Sequence, residues 1–261
     1  MRLTSTICSA ALLAGLMALP AAAVHAAVQV WDFDNSTQSF NRNRNGNRLT
    51  LTSPDGVTLT VRGYADSRDR ASGDTIQTGR LFWSSAGDSL AMRNRDEGGT
   101  TGHTIDSVSG DPSGEYEMLL LEFDEEVGIE GFDIDAAIGG SVANTADISV
   151  LAWDQTGSSA LNGRTWDGIL ASNGGGYDVI GNYNSVGVNY FSVNNGPIRS
   201  TRWLIGVYNP LFGAGGSDGN DAFLLSALQT TNTAPGVASA PGSLALAMMG
   251  LYGVRRSRKA R

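Results

Sequence analysis

Cysteine and histidine are nearly missing from this chain, and each absence removes a class of chemistry. The one Cys, Cys8, lies in an apolar N-terminal stretch. The body of the chain therefore has no disulfide, no thiol nucleophile and no thiolate metal site. Of the two His, His25 also lies near the N-terminus, which leaves His103 alone in the body. A zinc site needs three or four ligands and a serine triad needs one well-placed His, so the first is excluded in its common forms and the second has little room. Helix-period patterning is absent from the first half of the body. The triple Gly174 to Gly176 precedes a strand and not a helix, which excludes a phosphate cradle at a helix N-terminus.

Glycine, in contrast, is abundant. There are 34 Gly and only 17% charged residues, with many Ser, Thr and Asn. That balance suits short strands joined by turns. The two ends have their own character. Met1 to Ala26 carries Arg2, an apolar stretch from Ile7 to Leu19 and a small-residue exit, the layout of a secretory signal peptide with cleavage expected after Ala26 and before Ala27. At the other end, Leu244 to Val254 is apolar and is followed by Arg255, Arg256, Arg258, Lys259 and Arg261. Such a run stops in a bilayer with its basic end on the cytoplasmic side, because moving those charges through hydrocarbon costs several kcal/mol. Once both ends are set aside the body holds 12 Arg against 26 Asp and Glu, a net charge of −14. Nucleic acid is a poor partner for that surface, and divalent cations are better ones.

The body reads as one domain of successive strands, at 28–33, 48–53, 57–64, 77–83, 89–93, 116–123, 127–138, 148–153, 177–183, 190–193, 202–208 and 222–229. Pro54-Asp55-Gly56 marks a turn between two of them. Met118 to Leu121 is a short continuous apolar run bounded by Glu117 and Glu122, which predicts a strand buried on both faces or central to a sheet. One helical turn is expected at 166–171. Turn signals at this density predict an all-β domain over 27–230, built as a two-sheet β-sandwich of jelly-roll type. A linker over 231–240 follows, and the tail occupies 241–261.

Several segments carry a family resemblance. Trp166-Asp167-Gly168-Ile169-Leu170, Val179-Ile180-Gly181-Asn182-Tyr183, Trp203 to Pro210 and Asp218-Gly219-Asn220-Asp221-Ala222-Phe223 resemble the exosortase-dependent surface proteins of Gram-negative bacteria. The likeness extends upstream through His103 to Asp106 and Leu119 to Asp124, and back to Trp31-Asp32-Phe33. The tail resembles the PEP-CTERM sorting signal that accompanies that family, with Ser239-Ala240-Pro241 where the family has Pro-Glu-Pro. This resemblance implies export by the secretion machinery and transient anchoring in the inner membrane. It further implies processing by an exosortase and display at the surface of a bacterium that makes exopolysaccharide. The expected sorting residues are Ser239, Ala240 and Pro241, with Arg255, Arg256 and Arg258 as the basic stop. The resemblance implies no catalytic role.

Other residues are candidates on their own chemistry. Asp218, Asn220 and Asp221 precede the last strand in a Gly-rich loop, and hard oxygen ligands at that spacing suit calcium, with Asp32 and Asp34 as further ligands if the first and last strands are neighbours. The same residue types are ordinary turn formers. Trp153, Trp166, Tyr177, Tyr183, Tyr190, Trp203 and Tyr208 include candidates for a sugar-stacking platform, although alternation within strands favours the core for most. Glu122 with Asp124, and Glu125 with Glu126, are the carboxylate pairs a glycoside hydrolase on a jelly-roll scaffold would need. Their setting reads as solvated strand edges and turns. His103 and Asp106 read as structural hydrogen-bonding groups, and Arg42, Arg44 and Arg48 as a solvated loop. The favoured expectation is a non-catalytic exported surface or matrix protein that binds glycan or calcium, and the competing one is a secreted polysaccharide-acting enzyme.

Overall fold

A computed structural model describes residues 27–33, 45–67, 75–84, 89–94, 103–107, 115–139, 142–193, 196–217 and 221–232. The expected signal peptide up to Ala26, the sorting residues Ser239, Ala240, Pro241, Arg255, Arg256 and Arg258, and Asp34, Arg42, Arg44, Asp218 and Asn220 lie outside them. The described residues form strands β1 (Ala27–Asp32), β2 (Asn45–Gly46), β3 (Leu49–Thr52), β4 (Thr58–Ser67), β5 (Thr75–Thr78), β6 (Arg80–Trp83) and β7 (Leu90–Arg93). These are followed by β8 (Ile105–Asp106), β9 (Glu117–Ile138), β10 (Thr145–Trp153), β11 (Tyr177–Gly187), β12 (Asn189–Ser192), β13 (Ser200–Val207) and β14 (Ala222–Asn232). Short 3-10 turns at Asp167–Ile169, Ala171–Asn173 and Pro210–Phe212 are the helical content. None of these is long and apolar enough to cross a membrane.

The all-β expectation holds. The ladders are antiparallel and join all fourteen strands into one hydrogen-bonded network, in place of the two separate sheets expected from the sequence. Strand β9 is the reason. It is a single strand of 22 residues where the sequence read as two, and it changes neighbours midway. Its first half pairs with β13 on one edge and β4 on the other, from Met118↔Gly206 and Glu117↔Ala65 onward. The second half pairs with β14 and β12. Val127 is opposite both Ser200 of β13 and Asn232 of β14, so it marks the exchange. The remaining order runs β11, β10, β13, β9, β14, β7, β6, β2, with β1 along β14, β3 and β5 along β4, and β8 along β14.

Burial follows the pleat. Met118, Leu119, Leu120 and Leu121 are all buried, as a strand covered on both faces requires. On one face Leu119, Leu121 and Phe123 pair across to Trp203, Ile205, Val61 and Leu59, and these residues belong to a continuous core with Trp31, Phe132 and Phe223. Burying a side chain of this kind is worth about 1.5–3 kcal/mol. Trp31 also donates from its indole N–H to the Thr230 hydroxyl at 2.9 Å, which ties β1 to β14 inside that core.

Three boundaries differ from the sequence reading. The segment 77–83 divides at Gly79, whose N–H bonds the Gly63 carbonyl at 2.8 Å and where a Cβ would sit 2.7 Å from the Met92 methyl. The chain breaks there because β5 pairs with β4 whereas β6 pairs with β7. The expected linker starts too early: Thr231 and Asn232 belong to β14, held by Val28 and Ala27 on one side and Gly128 and Val127 on the other. Asn45 and Gly46, expected in a loop, form the short strand β2. The turn at Pro54-Asp55-Gly56 forms as expected, with Gly56 at φ +90° and the Val57 N–H donating to the Ser53 hydroxyl at 3.1 Å.

Candidate functional site

Strict alternation in β4 places Thr58, Thr60, Arg62 and Tyr64 on one face and Leu59, Val61 and Gly63 on the other. The second set is buried, so the first set faces outward and is half-buried. Register extends this face across the sheet. Thr60 is opposite Glu122 of β9 and Thr50 of β3, Thr58 is opposite Thr52, and Glu122 is opposite Arg202 of β13. The result is four threonines in two cross-strand pairs beside a Glu flanked by two Arg.

The charged centre has a defined geometry. Arg62 Nε donates to one Glu122 oxygen at 3.0 Å, and Arg202 Nε donates to the other at 3.2 Å. About a quarter to a third of each of the three side chains is exposed. Arg202 also donates from Nη1 to the Ser159 hydroxyl, and its guanidinium lies 5.3 Å from the centre of the Trp153 ring, a cation–π distance. Partial burial pushes the Tyr64 hydroxyl above its ordinary pKa; the Arg62 and Arg202 charges lower it and the Glu122 charge raises it.

The segment between β10 and β11 borders this centre and is pinned at several points. Asp154 opens it by accepting from the Thr156 N–H and hydroxyl, both at 2.8 Å, and these bonds lower its pKa. Residues 163 and 164 exchange backbone bonds with Ile76 of β5 at 2.8 and 2.7 Å. Leu161, Trp166 and Ile169 are buried beneath it. Gly174 takes the left-handed φ of +75° that ends a 3-10 turn. Gly175 and Gly176 allow backbone to meet backbone, since a Cβ on Gly175 would run into the Ile169 carbonyl and one on Gly176 would lie 2.8 Å from the Trp153 indole nitrogen. The glycine triple is thus a packing device. Tyr177 next to it is buried and donates to the Ser159 carbonyl at 3.0 Å, and desolvation drives its pKa well above the ordinary tyrosine range.

A concave feature lies elsewhere on the sheet. It is an open cleft of about 470 Å³ bounded by Val30 and Asp32 of β1, Asp133 and Asp135 of β9, Asn189 of β12 and Ala227 of β14. Asp135 accepts from the Ser89 hydroxyl at 2.9 Å. No group of three or more His, Cys, Asp or Glu among the described residues is arranged to hold a metal ion.

The residues singled out by sequence fall into different places. Of the calcium candidates, Asp221 is buried, and its Oδ1 accepts the Asp147 N–H at 2.7 Å. The first and last strands are neighbours, as the calcium reading required, but Asp32 is opposite Ala227 and faces the cleft. Trp166, Tyr177, Trp203 and Tyr208 are buried and Tyr190 is 45% exposed, with its hydroxyl lying over Gly131. Asp124 accepts from the Thr58 N–H at 2.9 Å, Glu125 from Asn232 at 3.0 Å and Glu126 from Gln155 at 2.7 Å. His103 stacks on Phe82 with ring centres 5.4 Å apart, and Asp106 accepts from the Thr104 hydroxyl at 2.7 Å. The sequence reading passed over Arg62, Arg202 and the threonine pairs. Thr-x-Thr-x-Arg-x-Tyr, with its outward parity, was the available signal. Comparison with known proteins finds no matching family model, no matching curated protein and no matching solved structure.

Proposed function

We propose that this chain is a non-catalytic surface module exported from a Gram-negative bacterium, delivered through its C-terminal tail by an exosortase. The order of features in the tail carries this reading: small residues with Pro241, an apolar run, then a basic cluster. The signal-peptide layout at the other end supports the same route. In this reading the tail holds the protein briefly in the inner membrane, and the all-β domain is the part displayed beside the exopolysaccharide.

The environment of the acidic residues favours binding over catalysis. A glycosidase needs one carboxyl that gives up a proton and a second that attacks or activates water. Glu122 has both oxygens occupied by guanidinium groups, while Asp124, Glu125 and Glu126 each hold a neighbouring backbone or amide group. The test is the intact mass and cell fraction of the protein purified from its own host, with and without the sorting enzyme. A mass ending near Ala240 or Pro241 that appears only when the enzyme is present is the expected result. A full-length tail in the inner membrane in both strains would overturn the sorting assignment.

A further inference from the structure

On the outer face of β3, β4 and β9 two guanidinium groups share the one Glu122 carboxylate, while Asp124, the next outward residue of β9, is held by the Thr58 N–H at the threonine end. Each Arg contacts Glu122 through Nε. Arg62 makes no other hydrogen bond among the described residues, so its two Nη groups remain available as a planar fork of donors. That fork is the geometry in which Arg grips carboxylates two bonds at a time. Glu122 is better described as an aligning group for the two guanidiniums than as their ligand.

Beside the fork lie donors and acceptors of a different kind. Thr50, Thr52, Thr58 and Thr60 form two cross-strand pairs on this face, and Tyr64 stands one outward position beyond Arg62. Threonine hydroxyls on a pleated surface stand at strand spacings of about 5 Å across and about 7 Å along. A ligand that matches all of this carries a carboxylate for Arg62 and several hydroxyls for the threonines. A simple inorganic anion would use only the first part, and a neutral sugar only the second.

We propose that this face is a binding site for a carboxylated polyhydroxy ligand, a sugar acid, with Arg62 gripping the carboxylate, Arg202 adding charge and the threonine pairs contacting adjacent hydroxyls. The guanidinium fork selects for a carboxylate, and the threonine register selects for hydroxyls beside it. The proposal does not depend on tail processing, so either can fail without the other.

The experiment is calorimetric titration of the full exported protein with oligogalacturonate, with its methyl ester and with free galacturonate, at two salt concentrations. Oligogalacturonate should bind, more weakly at high salt, and the methyl ester, which differs by the lost charge, should not. Arg62→Gln should weaken binding about tenfold or more, as expected for losing a charge-assisted pair of bonds. Thr60→Val, which keeps the charge, should weaken it by a smaller factor and leave the salt dependence unchanged; circular dichroism and thermal melting establish that both variants are folded. Free galacturonate binding as well as the polymer would identify a small acid as the ligand, whereas binding of the polymer alone would identify a chain; both outcomes keep the carboxylate site. Equal binding of the methyl ester, no binding of any probe, or an unchanged affinity in folded Arg62→Gln would refute it.

Discussion

Replacing Asp147 by Asn tests how the sheet is closed at its β10–β11 end. The register between these strands slips between Ala146 and Ile148, so Asp147 sits in a bulge without a ladder partner on that side. Its own N–H is satisfied by Asp221 Oδ1 at 2.7 Å, and its carbonyl by the Tyr208 N–H at 2.8 Å. The side chain then serves the neighbours: Oδ1 accepts from the Ser185 N–H at 2.7 Å, and Oδ2 from the Ser217 N–H at 2.7 Å and hydroxyl at 3.1 Å. Ser185 needs this help, since it holds the uncommon φ of +53°. An amide has one acceptor oxygen, so in either orientation its NH2 points at a backbone N–H. Each bond to a charged acceptor is worth about 1.5–3 kcal/mol, and a buried donor left facing a donor adds about 1–3 kcal/mol. The expected loss is about 2–4 kcal/mol after relaxation, which for a domain of this size lowers the melting temperature by about 10 °C. Differential scanning calorimetry measures it, and hydrogen exchange should show the Ser185 and Ser217 amides losing protection ahead of the rest. Ser217→Ala, which removes the hydroxyl alone, should cost less than half as much. A drop of less than about 2 °C for Asp147→Asn would mean that the carboxylate does not hold these segments together.

Two further perturbations follow from the same geometry. An unfolded tyrosine loses its proton near pH 10, whereas folded Tyr177 keeps its own to higher pH because burial outweighs the Arg202 charge. The unfolded chain therefore binds fewer protons in that range, and stability should fall as pH rises above about 10, less steeply in Tyr177→Phe. The variant should also lose about 1 kcal/mol at neutral pH with its bond to Ser159, and urea melts across pH 8–11 would show both effects. Gly206 lies opposite Met118, where an added Cβ would collide with the Glu117 carbonyl and come within 2.6 Å of Met118 Cγ. Gly206→Ala should thus cost about 1–3 kcal/mol, because backbone and not a mobile side-chain end would have to move; a neutral effect in denaturant melts would refute that packing.

Strand existence was readable from the sequence because alternation and turn chemistry are local. The turn at Pro54-Asp55-Gly56 and the buried run at Met118–Leu121 follow from residue types a few positions apart. The length of β9 was not readable, since Asp124-Glu125-Glu126 interrupts its apolar pattern and reads as a turn. Those three stay in the strand because neighbours supply partners for them: the Thr58 N–H for Asp124, Asn232 for Glu125 and Gln155 for Glu126. The same limit applies to the Arg62–Glu122–Arg202 centre. Its members are 60 and 80 residues apart in pairs, and only register brings them together. Alternation within strands turned most of the aromatic residues toward the core, as Trp203 and Tyr177 are, while the bulge that turns Asp147 into a clasp leaves no local mark.

The pairing of β1 with β14 sets the order in which the protein can mature. These strands meet through Trp31 and Thr230, 199 positions apart, and β14 also lines the second half of β9. A chain emerging N-terminus first therefore has no closing strand for β1, and half of β9 stays uncovered, until the last segment of the domain has been made. Contacts of such sequence separation form slowly, and unpaired edges are exposed meanwhile. The domain consequently closes in one late step, once β14 is available to pair with β1 and β9. An early stop in synthesis would leave a protease substrate in place of a smaller stable module.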